Sequence, residues 1–540
     1  QNNWPPPVFL HKAATDANYE RCTTYLLEHH RRLRPALASH NLRSLAHALA
    51  EAERLAVPPD AFEFQLLFGM GDAIKAALLE MGYRVRVYTP FGELLPGMAY
   101  LVRRLLENTA NTSFLRQGFL DHDSEEHLLM KPEPTVSPST APTGFRNEPI
   151  ADFSRADARH ALQTALAAFQ PGHYPLVIAG QRLDTPDHLR SLNPSHPGEV
   201  VGHCACATPE HARQAVAAAR AAFPAWRDHP DRVALIRRVA GILRRRRHEL
   251  AALEIRECAK QWREADADVC EAIDFCEFYA DEMLRLTPRR RDVPGETNEY
   301  RYEPRGVAVI ISPWNFPLAI LTGMTVAALV TGNTTILKPA AAAPVIAAQL
   351  LEAFDEAGLP PGVVNYLPGR GHEIGSVLAE HPDVALLAFT GSVEVGLVLR
   401  RAGKPMVCEM GGKNAIIIDS DADLDDAIRG VTQSAFGYAG QKCSACSRVI
   451  VLDAVYDAFL ERLIAATRSL KVGPAEDPGS FIGPVIDANA RARILQMIEG
   501  FEPVFVGEEP PEGFYVAPRI FADVVPTADR KSTRLNSSHR

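Results

Sequence analysis

The run Val307–Ile311 is apolar at every position (VAVII), a helical stretch follows over 319–331, and a second short run, TTILK, occupies 334–338. A strand with no polar alternation must be covered on both faces, and a parallel sheet wrapped by helices provides that cover. Strand, helix and strand in direct succession form a crossover unit between parallel strands. This part of the chain is therefore read as a doubly wound α/β fold.

At 540 residues the chain is too long for one ordinary core. The clearest boundary is 131–149, KPEPTVSPSTAPTGFRNEP, whose five prolines cannot hold a regular element. Before it, strands and helices alternate. One strand ends at Ser39-His40-Asn41, a second occupies 62–68, and YRVRVY over 83–88 is a third, followed by a charged helix over 100–108. That alternation predicts parallel β/α units. After the linker, helices are predicted over 212–222, 233–253 and 271–283. Arg244, Arg245, Arg246 and Arg247 form a basic run on the second of these. With no aromatic residues interleaved, it reads as a solvated helix face rather than a phosphate patch.

A content of 46% hydrophobic and 23% charged residues describes a globular chain, and a net charge of −9 gives no reason to expect nucleic acid as a partner. No stretch reaches the roughly 20 apolar residues of a membrane helix. Residues 1–7 have neither the charged start nor the apolar run of a secretory signal. Nine cysteines without pairing spacing read as free thiols in a reducing cytoplasm. Cys443 and Cys446 form a C-x-x-C, but a second pair is missing, so no metal site is expected.

The chemistry concentrates in three runs. Cys443 lies in GQKCSACSR, where a Gly-flanked turn can expose a thiol and Lys442 would favour the thiolate. Glu409, in CEMGGKN, is a carboxylate on a strand-to-loop turn that could act as a general base. Asn315, in ISPWNFP, is an amide that could hold an oxyanion. Thiol, carboxylate and amide together fit covalent chemistry on a carbonyl carbon.

These runs, with Leu337-Lys338-Pro339-Ala340, Phe389-Thr390-Gly391-Ser392 and the Gly391 to Gly396 spacing, resemble the aldehyde dehydrogenase superfamily over 150–527. The GQKCSACSR wording is most similar to the branch that oxidises glutamate semialdehyde, the open form of pyrroline-5-carboxylate. The resemblance implies Cys443 as nucleophile, Asn315 and the Cys443 N–H as the oxyanion site, and Glu409 as the base for deacylation. It implies NAD as cofactor, with Lys338 near the adenosine ribose, Gly391 and Ser392 opening a helix toward the pyrophosphate, and Pro313 and Trp314 lining the nicotinamide channel. Ala341 departs from the family, which often has Glu there to select the unphosphorylated ribose. The preference for NAD over NADP thus follows the subfamily resemblance alone.

The front segment is similar to the last part of the flavin-dependent proline dehydrogenase barrel. The runs that carry this are Thr15-Asp16-Ala17-Asn18-Tyr19, His40-Asn41, FQLLFGM from Phe64 and YLVRRLLEN from Tyr100. It implies that Arg103 and Arg104 grip the proline carboxylate, whose shape a guanidinium fork matches. A complete (β/α)8 barrel needs on the order of 250 residues, so its early strands and much of the FAD site are expected to be missing. The expected organisation is a partial barrel over 1–130, a linker over 131–149, an NAD-binding domain over 150–407, an incomplete catalytic domain over 408–528, and an artefactual tail over 529–540. The family's Glu-x-Phe-Gly-Pro motif and oligomerising strand are not in this sequence, so the chain reads as truncated at both ends.

The resulting expectation is a fragment of a bifunctional enzyme that turns proline into glutamate, retaining the semialdehyde oxidation step. Its partners would be small-molecule substrates and, in the intact protein, further copies of itself and a peripheral membrane surface. The alternatives are an aldehyde dehydrogenase of another specificity and a catalytically inactive nucleotide-binding fragment. A DNA-binding regulator is disfavoured, because no basic binding module is present.

Overall fold

The computed structural model describes residues 8–9, 11–92, 97–98, 100, 102, 129–132, 144–286 and 288–524. They fall into two compact units, Pro5–Thr143 and Gly144–Arg540.

In the first unit, β1 (Ala36–Ala38), β2 (Glu63–Leu67) and β3 (Val85–Tyr88) form a parallel sheet in that order. The helices α1 (Lys12–Glu28), α2 (Leu42–Arg54) and α3 (Asp72–Glu80) alternate with them. Leu27, Leu45, Phe64 and Leu78 share one core. This is the predicted β/α alternation. Asn41 caps α2 by accepting from the Arg43 N–H at 3.0 Å. The His40 ring accepts from the Leu67 N–H at 3.1 Å. Arg103, Arg104 and the charged helix assigned to 100–108 lie outside the described residues, apart from Tyr100 and Val102.

The second unit is built on a seven-stranded sheet. Its central strand is β11 (Val307–Ile311), with β12 (Thr334–Lys338) and β13 (Val364–Tyr366) on one side and β14 (Val384–Gly391) and β15 (Met406–Met410) on the other. These five are parallel. The antiparallel strands β5 (Leu176–Ile178) and β6 (Gln181–Leu183) extend the sheet beyond β13. The doubly wound reading of the VAVII run holds, and the reason is visible within single strands. Val307, Val309 and Ile311 face one core, with helix α5 (Pro209–Arg227) and Ile374 of α11 (Gly371–Glu380). Ala308 and Ile310 face the other, with helices α6 (Arg232–Arg245), α7 (Arg247–Cys258), α8 (Trp262–Arg285), α9 (Ala319–Val330) and α10 (Pro344–Ala357). The assigned division at 407/408 falls inside β15, where Cys408–Met410 pairs with Phe389–Gly391 of β14.

Two sequence expectations need correction. The helix assigned to 233–253 is two helices, α6 and α7, broken at Arg246, whose φ of −93° and ψ of 12° leave the helical region. Of the four arginines there, Arg244 and Arg245 are exposed as a solvated face requires, whereas Arg246 and Arg247 are partly buried. Arg244 pairs with Glu148, Arg245 with Glu356, Arg246 with Glu249, and Arg247 with the buried Asp266. Periodicity cannot see Glu148, Glu356 and Asp266, because they lie outside the run.

Beyond the sheet lies a smaller region. Parallel strands β16 (Asn414–Ile418) and β17 (Cys446–Val451) pack against α13 (Leu424–Phe436) and α14 (Tyr456–Arg468) through Ile418, Val431, Phe459 and Leu463. Among the described residues, no helix is long and apolar enough to cross a membrane.

Candidate active site

The strand order places a topological switch between β11 and β14. From β11 the chain winds outward through β12 and β13, then returns to the other side of β11 as β14 and β15. In open α/β sheets ligands settle at such a switch, outside the carboxyl ends of the strands. The register shows what stands there. Lys338, Ile311, Phe389 and Cys408 lie in one row across four strands. Ser312 to Asn315 follow directly from β11, Gly391 and Ser392 end β14, and Glu409 pairs one step beyond the row with Thr390. Every candidate residue of the second unit except Cys443 is thus carried to one sheet edge by its own strand.

Cys443 reaches that edge by tethers. After α13 the backbone takes three successive left-handed residues, Tyr438, Ala439 and Gly440, with φ of 53°, 51° and 68°. For Tyr438 and Ala439 this costs about 1–2 kcal/mol each. Strong anchors surround the run. Tyr438 is fully buried, and its hydroxyl donates to the Cys258 carbonyl at 3.0 Å. The buried Gln441 side chain accepts from the Ile486 N–H at 3.0 Å. The Asn315 Nδ2 donates to the Gln441 carbonyl at 2.8 Å. The Asn414 Nδ2 donates to the Cys443 carbonyl at 2.7 Å and the Ala445 carbonyl at 3.1 Å. Cys443 is left half-buried, whereas Cys446 is buried, with its Sγ 3.1 Å from the Arg448 carbonyl. Burial pushes the Cys446 thiol above its ordinary range, so of the C-x-x-C pair Cys443 is the reachable thiol.

Lys442 has a partner that its local sequence does not indicate. Its ammonium is paired with Glu264 at 2.6 Å, so the charge assigned to the thiolate is answered by a carboxylate from α8. Glu409 is exposed on the edge strand β15, within the strand rather than on the turn after it. Asn315 is completely buried and bonded into the Cys443 loop. Amide and thiol loop are therefore joined directly, and Glu409 is carried to the same edge by β15.

The cofactor positions divide into two kinds. Lys338 is buried, and its ammonium donates to the adjacent Pro339 carbonyl at 3.0 Å. Burial lowers its pKa to about 8, against a smaller opposing effect of Cys206. A desolvated ammonium with one neutral partner fits a hydroxyl-bearing ligand at the strand end. Ser392 caps α12 (Val393–Arg400) by accepting from the Val395 N–H at 3.2 Å. Pro313 is buried and Trp314 half-buried, its ring 6.4 Å from that of Tyr438. Gly391 and Gly396 serve packing. A Cβ on Gly391 would lie 2.7 Å from the Phe389 ring, and one on Gly396 would lie 2.6 Å from the Met410 sulfur.

Sequence reasoning missed the support behind the site. The link between α7 and α8 carries Lys260, which is completely buried. Its Nζ donates to the Asn315 carbonyl at 2.9 Å and lies 3.2 Å from Asp268 and 3.8 Å from Glu254. Asp268 also accepts from the Leu318 and Ala319 N–H groups at 3.2 Å each, holding the start of α9. Asn414 and Gln441 lay inside quoted motifs, but a tethering role has no sequence signal. The expectation of no metal considered only the C-x-x-C. Among the described residues His173, Asp184 and His188 do bring ligand atoms within 4.8 Å of one another, and the Asp184 carboxylate already pairs with both rings, at 3.1 Å and 3.0 Å.

Comparison with known proteins agrees with this geometry. The profile of the aldehyde dehydrogenase family matches residues 182–532, and that of proline dehydrogenase matches residues 1–117. A 1-pyrroline-5-carboxylate dehydrogenase of Anoxybacillus flavithermus is 46% identical over 406 residues, 71% of this chain and 79% of that protein. Proline utilization A from Bdellovibrio bacteriovorus, solved after inactivation by N-propargylglycine, matches with a TM-score of 0.84 at 45% identity. That match covers all of this chain, which spans 59% of the length of the Bdellovibrio chain. A 1-pyrroline-5-carboxylate dehydrogenase from Thermus with bound NAD matches at 44% identity with a TM-score of 0.71, over 73% of this chain and 81% of its own. With its thiol loop, buried amide and switch-point sheet in family order, this chain belongs to the aldehyde dehydrogenase family.

Proposed function

We propose that this chain oxidises L-glutamate γ-semialdehyde, the open form of pyrroline-5-carboxylate, to L-glutamate. The observation that carries the reading is a half-exposed Cys443 whose loop is bonded directly to the buried Asn315 at the carboxyl edge of the sheet. The Cys443 sulfur adds to the aldehyde carbon, and the carbonyl π electrons move onto oxygen. The Asn315 side-chain amide and the Cys443 backbone N–H hold that oxyanion. Lys338 and the Ser392 turn, with Pro313 and Trp314 along the channel, would hold NAD, which would accept the hydride lost from that carbon as the oxyanion re-forms a carbonyl and leaves a Cys443 thioester. Water then opens the Cys443 thioester, and Glu409 takes the proton from that water. Cysteine suits the task because a thiolate is both a good nucleophile and a fair leaving group.

The proline dehydrogenase match extends the reading to the whole protein. We assign 1–130 to the end of a flavin-dependent barrel, with Arg103 and Arg104 on the proline carboxylate and FAD as its cofactor. The two activities would then oxidise proline to glutamate in sequence, in the cytoplasm and in a homo-oligomer. The division into 150–407 and 408–528 becomes, in this reading, a cofactor-binding and a thiol-bearing part.

The test is NADH production from the semialdehyde by this chain, with mass spectrometry of the Cys443 peptide. Cys443→Ala should abolish both the adduct and turnover. Turnover that survives Cys443→Ala sinks the mechanism. Turnover with simple aldehydes but not the semialdehyde replaces the substrate with another of the class.

A further inference from the structure

We infer that Lys260 is a positioning residue for the covalent step, fixing the Asn315 loop against the Cys443 loop from behind; this rests on the function proposed above. Lys260 is completely buried between two helices, with Glu254 on α7 and Asp268 on α8. Three further contacts of its ammonium belong to the two arms of the site. On the oxyanion arm it bonds the Asn315 carbonyl at 2.9 Å and lies 4.3 Å from the centre of the Phe316 ring. On the thiol arm it lies 5.1 Å from the centre of the Tyr438 ring, in the left-handed run that leads into the Cys443 loop. Asp268 adds the Leu318 and Ala319 N–H groups at the other end of the oxyanion loop. One ammonium and its carboxylate thus grip the loop of Asn315 at both ends and touch the turn that carries the thiol.

Stability does not explain the choice. A buried ion pair is often no more stable than well-packed apolar residues of the same volume. Cation–π contact with two rings would equally serve a site elsewhere in the core. What an apolar residue cannot do is hold the Asn315 carbonyl. Pinning that carbonyl fixes the peptide plane after Asn315 and so the direction of its side-chain amide. The charge needed for this persists. Burial pulls the Lys260 pKa down, but Asp268 and Glu254 outweigh it and the net displacement is upward. Glu254 is itself pushed well up, by burial and then by Asp268.

The test separates aim from thiol reactivity. Lys260→Met keeps the stem and removes the charge and the donor. Lys260→Met with Asp268→Asn removes the closest carboxylate together with the ammonium, and it serves if the single variant unfolds. Two rates are read on each: alkylation of Cys443 by iodoacetamide, which forms no oxyanion on a carbonyl, and the burst of NADH from the semialdehyde, which does. We expect the aldehyde rate to fall about 10- to 100-fold, as for a group displaced by about 1 Å, with alkylation and the KM for NAD within about threefold of the unmodified chain. An equal fall in both rates, or no fall in either, overturns the proposal. Asn315→Ala is the control on the parent reading. If it keeps the full aldehyde rate, the oxyanion assignment fails; if it loses that rate while both Lys260 variants keep it, only the positioning role fails.

Discussion

Asn414 offers the sharpest handle on how the thiol loop is held. It opens β16, pairs with Cys446 across the ladder, and donates through one nitrogen to the Cys443 and Ala445 carbonyls at 2.7 Å and 3.1 Å. Gly412 makes room for it, since a Cβ there would lie 3.3 Å from the Asn414 Oδ1. Asn414→Ala removes both bonds, and at about 0.5–1.5 kcal/mol each the turn loses about 1–3 kcal/mol. Asn414→Asp should do more, because an acceptor would then face two carbonyl oxygens. Global stability is about 5–15 kcal/mol, so the loss should appear as local opening rather than unfolding. At 1.36 kcal/mol per factor of ten, hydrogen exchange of the peptide over 440–447 should quicken about 5- to 150-fold. Peptides from β11 and α9 should exchange as before. Unchanged exchange over 440–447 in Asn414→Asp would refute the tether and leave the position of Cys443 to packing.

Other outcomes are checkable by routine means. Peptide-resolved iodoacetamide labelling should mark Cys443 and spare Cys446, and Cys446→Ala should not alter labelling at Cys443. Gly396→Val should destabilise by about 1–3 kcal/mol in urea through overpacking, because its added carbons meet the Met410 and Cys408 sulfurs and the Phe389 ring. Glu257 is fully buried, and burial raises it from 4.5 to about 7 against the pull of the Val345 and Ile346 N–H groups and Ser191. The folded chain therefore holds that proton more tightly, and the contribution present below pH 4.5 is lost as pH rises through 7, on the order of 3 kcal/mol. Urea midpoints of Glu257→Gln should accordingly fall less between pH 5 and 8 than those of the unmodified chain. Ile417 and Ile450 are 70% and 51% exposed on the open face of β16 and β17, so replacing both with Thr should lower light scattering on concentration.

How much of this was legible follows the range of each signal. The VAVII and TTILK runs report their strands, because covering on both faces leaves no polar position, and both appear within a residue of their bounds. The candidate residues of the sheet edge were legible because strand ends are local: Asn315, Lys338 and Glu409 follow or close runs that read as strands. The 233–253 helix failed because the break at Arg246 leaves the apolar rhythm intact on both sides. The pairing of Lys442 with Glu264 was not legible, because the two lie far apart in sequence and only the fold brings them together. Lys260 was invisible for a related reason. In CAKQWREADAD it is one charge among several, and nothing local distinguishes a lysine that will be entirely buried from one in water.

The tethers share a logic that explains why they escaped a pattern-based reading. A thiol that must meet a solvent-borne aldehyde cannot sit in an apolar core, so apolar packing cannot be what fixes its loop. The alternative is side-chain donors aimed at backbone carbonyls. Asn315 on Gln441, Asn414 on Cys443 and Ala445, and Tyr438 on Cys258 are all of this type, and Lys260 on Asn315 repeats it one layer deeper. Such bonds use carbonyls that no helix or ladder has claimed, and the left-handed run at Tyr438, Ala439 and Gly440 supplies the irregular backbone that exposes them. The strain is therefore tied to the tethering. A regular helix through 438–440 would be lower in energy locally, but its carbonyls would turn inward to bond their own amides. The loop would then offer nothing for Asn315 to hold, and the amide and the thiol would lose their common register.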